Sequence, residues 1–175
     1  MPIKRQHCAA LILAATVFSG PLLAAGFDDD YDAKPWQEIE LVLPAPPAQP
    51  SLQSFYVSAT STNRFSVDAS TLSVGEDGVV RYVLVVETAG GARNVTFEGM
   101  RCETRERRIY ASGRRDGSWS RSRNNAWEKI RDIAPNRQHA ALFLDHFCPG
   151  GVIVRNVEEA RDALRRGSHP SNQRW

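Results

Sequence analysis

Residues 75–102, which read GEDGVVRYVLVVETAGGARNVTFEGMRC, contain the pattern that decides the fold. An Asp-Gly pair directly before an apolar run is a strong hairpin signal, because glycine tolerates the positive φ that such turns need. The run at 79–88 leaves almost no polar face, which predicts a central strand covered on both sides. A Gly-Gly turn follows, and 94–102 predicts the returning strand, in which Gly99 marks a bulge.

Shorter segments on both sides extend this hairpin into a sheet. Before it, runs rich in aromatic and branched residues predict strands at 55–59, 65–69 and 72–74. After it, the same kind of pattern predicts strands at 108–113 and around Trp119. All the connections are short and rich in turn residues, which favours antiparallel neighbours.

The C-terminal part changes to helical patterns. Residues 137–147 predict a helix whose inner side carries Ala140, Ala141, Leu144 and Phe147. Residues 152–154 predict one more short strand. Asn156 with Glu159 three residues later is typical of a helix start, and Gly167 of a helix end. Together the elements predict an α+β fold, an antiparallel β-meander of about five to six strands with C-terminal helices packed on one face.

The N-terminus has the three parts of a secretory signal. Lys4 and Arg5 precede an uncharged apolar run, and small residues around Ala25 offer a cleavage point. We therefore expect a soluble periplasmic protein with no transmembrane helix, and no lipid anchor because no cysteine stands at the cleavage point. The expected organisation is a signal peptide at 1–25, an acidic and proline-rich flexible arm at 26–50, one domain at 51–167 and a disordered tail at 168–175.

Removal of the signal peptide leaves two cysteines, Cys102 and Cys148. In an oxidising compartment two such cysteines most often pair. The bond would close a loop of roughly 45 residues and stabilise the fold by about 2–4 kcal/mol. The alternatives are two buried free thiols, or a zinc site completed by His139 and His146. Because the spacing differs from that of a standard zinc finger, we expect the disulfide and no metal or other cofactor.

Charge is distributed unevenly along the chain. The arm at 26–50 is acidic, and its alternating apolar residues at 36–43 predict an edge strand. The stretch at 101–131 is rich in arginine, which either neutralises the arm, forms a solvated face or binds an anion. Its aromatic residues either stack on a ligand or fill the core. The predicted anion-binding residues are Arg81, Arg101, Arg105, Arg107, Arg108, Arg114, Tyr110 and Trp119, and Arg115, Arg121 and Arg123 lie in the same stretch.

Motifs for catalysis are sparse. The sequence has no Gly-x-Ser-x-Gly elbow and no P-loop. The pair Asp145-His146 comes nearest to a catalytic arrangement, although a histidine at a helix C-terminus is also favoured by the helix dipole. Glu98 is expected to form a cross-strand ion pair with Arg81 or Arg101. We therefore predict no catalytic residue.

Five short segments together resemble the CNP1-like family, namely RFSVD (64–68), GVVRY (78–82), GARNV (91–95), EGMRC (98–102) and FCPGG (147–151). The likeness extends over residues 36–167. Members are exported proteins of Gram-negative, mainly beta-proteobacterial, envelopes, so the resemblance implies a periplasmic protein without implying an activity. The expected function is a non-enzymatic envelope binding or accessory module, whose arginine-rich face meets an anionic envelope component or an acidic protein rather than DNA. The alternative is a periplasmic hydrolase or RNase-like enzyme that uses His146.

Overall fold

The computed structural model describes residues 35–172, which form the α+β fold that the sequence predicts. The predicted signal peptide lies outside the described residues, as do 26–34 of the predicted arm and 173–175 of the predicted tail. The strands are β1 (Leu52–Phe55), β2 (Arg64–Asp68), β3 (Ser73–Val74), β4 (Val79–Glu87), β5 (Arg93–Arg101), β6 (Glu106–Gly113), β7 (Trp119–Arg121) and β8 (Glu128–Lys129). The helices are α1 (Arg137–Ala141), which continues into a π-helical turn at Leu142–Phe147, and α2 (Val157–Arg166).

The strands belong to one antiparallel sheet. Its order is β1-β2-β4-β5-β6-β7, while β3 pairs with β4 and β8 pairs with β6. Gly78 and Gly91, in the turns before and after β4, have φ values of +74° and +79°, as the turn chemistry requires. The seven residues from Val79 to Val85 are all buried. The prediction of a central β4 covered on both sides is therefore confirmed.

The sheet separates two apolar cores. On one face, alternate residues of β4 such as Tyr82 and Leu84 pack under the C-terminal helices, with Phe147 and Leu164 among their neighbours. On the other face, a second core covers Val83, Val85, Phe97, Tyr110 and Ala111, and residues from the N-terminal segment and Trp119 pack against it. Because both faces are covered, β4 is apolar at nearly every position rather than at alternate positions.

The two helices differ in how well the sequence predicts them. Helix α2 is confirmed at both ends: the Asn156 Oδ1 atom accepts a hydrogen bond from the Glu159 N–H at 2.9 Å, and Gly167 has a φ of +80°. The predicted inward face of 137–147 is wrong at Leu144, which is 44% exposed. The π-helical turn adds a residue per turn and so buries Phe143 instead. No helix within residues 35–172 combines the length and apolar character that a membrane span requires.

Two segments that were predicted to be short strands differ from the prediction. Residues 152–154 are extended but do not join the sheet, because the Val154 N–H donates to the Phe147 carbonyl at 3.0 Å. The first strand lies at Leu52–Phe55 instead of 55–59. Its register opposite Asp68 to Phe65 ends at Phe55, and the chain then leaves the sheet as a loop.

Residues 168–172 lie in the segment predicted as a tail. They include a 3₁₀ turn at Pro170–Asn172, and the Asn172 side-chain amide donates to the Leu144 carbonyl at 2.7 Å. The His169 N–H donates to the Asp145 carbonyl at 2.6 Å. This segment therefore caps the otherwise unpaired carbonyls at the end of the π-helical turn.

A disulfide joins Cys102 to Cys148, with the two sulfur atoms 2.06 Å apart. It ties the turn after β5 to the end of the π-helical turn, across 46 residues of sequence. A closed loop of this length stabilises the folded chain by about 4 kcal/mol in the chain-entropy treatment. Because both sulfurs are used in this bond, the zinc alternative with His139 and His146 has no thiolate ligands. Within residues 35–172, no group of three or more His, Cys, Asp or Glu side chains is arranged to hold a metal ion.

Candidate anion-binding site

The segment at 36–47, called the N-terminal strap below, crosses the face of the sheet opposite the helices. At one end the Trp36 indole N–H donates to the Asp77 carbonyl at 2.8 Å, and at the other the Trp119 indole N–H donates to the Pro44 carbonyl at 2.8 Å. Leu41 and Leu43 pack against the second core between these points. The prediction of an edge strand at 36–43 is wrong, because the strap is held by side chains rather than by a backbone ladder.

Glu38 of the strap is bound by three side chains of the sheet. The Arg108 Nη1 atom lies 2.6 Å from Glu38 Oε2, and the Arg81 Nη2 atom lies 3.3 Å from Glu38 Oε1. The Tyr110 hydroxyl donates to the same carboxylate. Arg81, only 4% exposed, is also bound by Asp77, with 3.0 Å between Nη1 and Oδ1. The arginines at this place therefore neutralise Glu38 of the acidic arm, in keeping with one of the alternatives from the sequence.

The pKa shifts in this network follow from burial and from the ion pairs. Burial alone would raise the pKa of Asp77, but the Arg81 hydrogen bond and the Ile39 N–H outweigh it and hold that pKa below its ordinary value. Burial, followed by the hydrogen bond to Glu38, raises the pKa of Tyr110 far above its ordinary value. Tyr110 therefore stays a neutral donor, while Asp77 stays an anion.

Other predicted anion-binding residues are also engaged within the chain. The Arg101 guanidinium lies 3.7 Å from the centroid of the Trp36 ring and 3.6 Å from the Glu103 carboxylate. The Arg107 guanidinium lies 3.0 Å from Glu128. Arg105 is exposed, with its guanidinium 5.2 Å from the centroid of the Phe143 ring. An external anion would have to compete with these contacts at Arg81, Arg101, Arg107 and Arg108.

Three arginines with exposed side chains, Arg93, Arg114 and Arg115, lie together at one end of the sheet. Arg114 and Arg115 stand in the tight β6–β7 turn, which closes through a 2.8 Å hydrogen bond from the Arg114 N–H to the Ser118 carbonyl. With Arg93 of β5 they line a pocket of about 100 Å³, whose walls include Trp119 and Pro46 of the strap. Within residues 35–172 no carboxylate lines it. Two carboxylates lie close by: Glu87 is 3.9 Å from Arg93, and Asp116 stands in the same turn and interacts electrostatically with Arg114. We call this place the anion pocket.

The anion pocket contains two of the predicted residues, Arg114 and Trp119, and adds Arg115 and Arg93. The prediction missed Arg93, although the sequence contains a signal for it. The Gly-rich turn fixes β4 and β5 in register with Glu87 opposite Arg93, at the end of the sheet where the β6–β7 turn also lies. Because β5 begins directly after this turn, counting residues from the turn would have placed Arg93 at this end of the sheet.

Glu98 forms a second polar cluster on the opposite, helix-covered face. Its carboxylate accepts hydrogen bonds from Thr96 Oγ1 at 2.7 Å and from the Tyr82 hydroxyl at 3.1 Å, and lies 2.9 Å from the His139 Nε2 atom. Burial alone would raise the pKa of Glu98, but the interaction with His139 outweighs it, and the pKa lies below its ordinary value. We call this group the Glu98 cluster.

The predicted ion pair of Glu98 with Arg81 or Arg101 is wrong, because the Glu98 side chain lies on the opposite face of the sheet from the two arginines. Glu98 stands opposite Tyr82 in the β4–β5 register, so the side chains of both point toward the helices. Arg81 stands opposite Gly99, one position along each strand, and its side chain points toward the strap. Because side chains alternate between the two faces along each strand, Glu98 and Arg81 cannot meet on one face of the sheet.

His146 is buried between β1 and α2. Its Nδ1 atom donates to the Ala163 carbonyl at 3.2 Å, and its ring packs edge-on against Phe55, with the centroids 5.8 Å apart. Burial lowers the pKa of His146 below its ordinary value, which favours the neutral imidazole. Within residues 35–172, the hydrogen-bond partner of the His146 imidazole is thus a backbone carbonyl rather than a serine or a carboxylate.

Comparison with known proteins identifies the family to which the chain is similar. The sequence model of the CNP1-like family matches residues 31–165, which include the strap, the sheet and most of α2. A search of curated proteins gave no significant match. A search of solved structures likewise gave no significant match.

Proposed function

We propose that this chain, which belongs to the CNP1-like family, is an exported binding module that holds a phosphate-bearing component of the bacterial envelope in its anion pocket and catalyses no reaction. Periplasmic location after removal of residues 1–25 is part of the proposal. It is supported by the basic, apolar and small-residue segments at the N-terminus. The Cys102–Cys148 disulfide suits an oxidising compartment of this kind.

The observation that carries the proposal is that three arginines, Arg93, Arg114 and Arg115, line one pocket to which residues 35–172 contribute no carboxylate. Elsewhere on this face each arginine that enters the interior is neutralised by the chain itself, as Glu38 does for Arg81 and Arg108. Like charges held together repel, and an anion relieves that repulsion. Guanidinium groups also bind phosphate oxygens in pairs, which makes arginine well suited to this ligand.

Binding to lipopolysaccharide, compared with its dephosphorylated form, tests the proposal. The protein expressed from its full-length sequence is titrated at low and moderate salt. We expect R114A/R115A to bind about tenfold or more weakly than the wild type. We also expect a loss of about tenfold in wild-type affinity between 50 and 200 mM salt, as ion release predicts.

The matched control removes two arginines from another exposed place. Arg165 and Arg166 are adjacent in α2 and exposed, and each pairs with Asp162. R165A/R166A changes the net charge equally but should leave affinity within about twofold of the wild type. Equal losses in both double variants, or equal affinity for the phosphorylated and dephosphorylated probes, would contradict a phosphate site at the anion pocket.

A further inference from the structure

A second groove lies at the same end of the sheet, beyond the β4–β5 turn from the anion pocket. It has a volume of about 810 Å³, within the range of natural ligand sites. The loop at 56–63, which joins β1 to β2, forms one wall, and the residues around Thr88 form the other. We call it the hydroxyl groove, because the polar side chains in its walls are mostly Ser54, Ser58, Ser61, Thr62, Asn63 and Thr88.

The walls of the hydroxyl groove are polar but carry no net charge. Hydroxyl and amide groups both donate and accept hydrogen bonds, so they suit a ligand rich in hydroxyls. The charged lining residues are Arg64 and Glu87, which stand opposite each other in the β2–β4 register and lie 3.9 Å apart. Because these two charges offset each other, the hydroxyl groove offers a charged ligand no net electrostatic attraction.

An aromatic ring is presented at this groove. Tyr56 is 70% exposed, whereas its neighbour Phe55 is buried in the core. A tyrosine ring offers a flat apolar face together with a polar hydroxyl. The C–H face of a pyranose ring packs against such a surface, while the sugar hydroxyls remain free to bond to polar side chains.

From this combination we propose that the hydroxyl groove binds a neutral oligosaccharide, with one sugar ring stacked on Tyr56. The side chains of the 56–63 loop and of Thr88 bond to its hydroxyl groups. This site goes beyond the proposed function, because it uses none of the arginines of the anion pocket and requires no charge on the ligand.

Isothermal titration with chitotetraose and maltotetraose tests this second site. We expect saturable binding of at least one of the two probes, with affinity unchanged between low and moderate salt. Y56A should bind about tenfold or more weakly, and Y56F, which retains the ring, should stay close to the wild type. A59W places a bulky ring in the groove wall and should also abolish binding.

The outcomes separate this site from the anion pocket. R114A/R115A should bind the sugar like the wild type, so the two proposals stand or fall independently. Absence of saturable binding to both probes would overturn the inference, as would full affinity in Y56A. Each variant should unfold at a temperature close to that of the wild type, because Tyr56 and Ala59 are exposed.

Discussion

Glu98 is 2% exposed, and its replacement by glutamine keeps the size of the side chain while removing the charge. The carboxylate takes part in three hydrogen bonds, with Thr96, Tyr82 and His139. A hydrogen bond to a charged group contributes about 1 kcal/mol more than a neutral one. Loss of the charge at three bonds should therefore lower the free energy of unfolding by about 3 kcal/mol, as expected when a buried pair is weakened.

Urea unfolding followed by tryptophan fluorescence measures this loss. A decrease of about 3 kcal/mol should lower the urea midpoint by roughly 1–2 M. Glu103→Gln is the matched control, because that side chain is 84% exposed and its ion pair with Arg101 should contribute less than about 1 kcal/mol. Equal midpoints for E98Q and the wild type, or equal losses in the two variants, would refute a stabilising role for the Glu98 cluster.

The difference in free energy of unfolding between wild type and E98Q should depend on pH. This dependence distinguishes an effect of the Glu98 charge from an effect of altered packing. The pKa of Glu98 is lowered from 4.5 in the folded chain, so its charge contributes stability above that pH. The contribution is lost as the pH falls from 4.5 through the lowered folded-state pKa, because over this range the unfolded chain takes up the proton before the folded chain does. The difference in free energy of unfolding between wild type and E98Q should stay constant above about pH 5 and narrow as the pH falls below 4.5. A constant gap would indicate altered packing instead.

Three further substitutions test the other parts of the fold. E38A should free the strap and lower the free energy of unfolding by about 2–3 kcal/mol, with faster amide exchange at 36–47, because two guanidinium groups lose their carboxylate. G99A would place a methyl group 2.7 Å from Tyr110 Cζ and should cost about 1–3 kcal/mol in thermal or urea unfolding. C102S/C148S should lower stability by about 4 kcal/mol, and alkylation before intact-mass measurement should modify both wild-type thiols only after reduction.

Each of these substitutions has a control within the chain. E40A removes an exposed carboxylate of the strap and should leave amide exchange unchanged. G90A meets its nearest atom, Thr88 Oγ1, at 3.9 Å, so it should change stability by less than about 0.5 kcal/mol. Reduction of the wild type should reproduce the loss in C102S/C148S. Losses in E40A or G90A equal to those in E38A or G99A would contradict the contacts assigned to Glu38 and Gly99.

Local sequence signals predicted the elements that local chemistry determines. The turn glycines and the apolar run predicted β4 and β5 within one residue of their ends, and the capping residues predicted α2. The π-helical turn escaped prediction because its residues have the same local pattern as an α-helix. Its extra residue per turn is set by packing of Phe143 and Phe147 under the sheet, which the sequence pattern does not encode.

The candidate sites depended on contacts between residues distant in sequence. Glu38 and Arg108 are 70 residues apart, and Glu98 and His139 are 41 apart. Composition gave attraction between the acidic arm and the arginine-rich strands as one of three alternatives, but it did not indicate which carboxylate would contact which guanidinium. Side-chain parity in the β4–β5 register would have excluded Arg81 as the partner of Glu98, and it follows from the turn alone.

The strap also shapes the anion pocket from a distance. Glu38 fixes the strap near its first residues, and the Pro44 carbonyl accepts a hydrogen bond from the Trp119 indole. Pro46 then stands in the pocket wall and against the Gly117 turn. Because Glu38 neutralises Arg81 and Arg108, these two arginines do not compete for external anions with the exposed Arg114 and Arg115 in the β6–β7 turn. The strap therefore does two things at once: its Glu38 neutralises Arg81 and Arg108, and its Pro46 forms part of the wall of the pocket where arginines remain exposed.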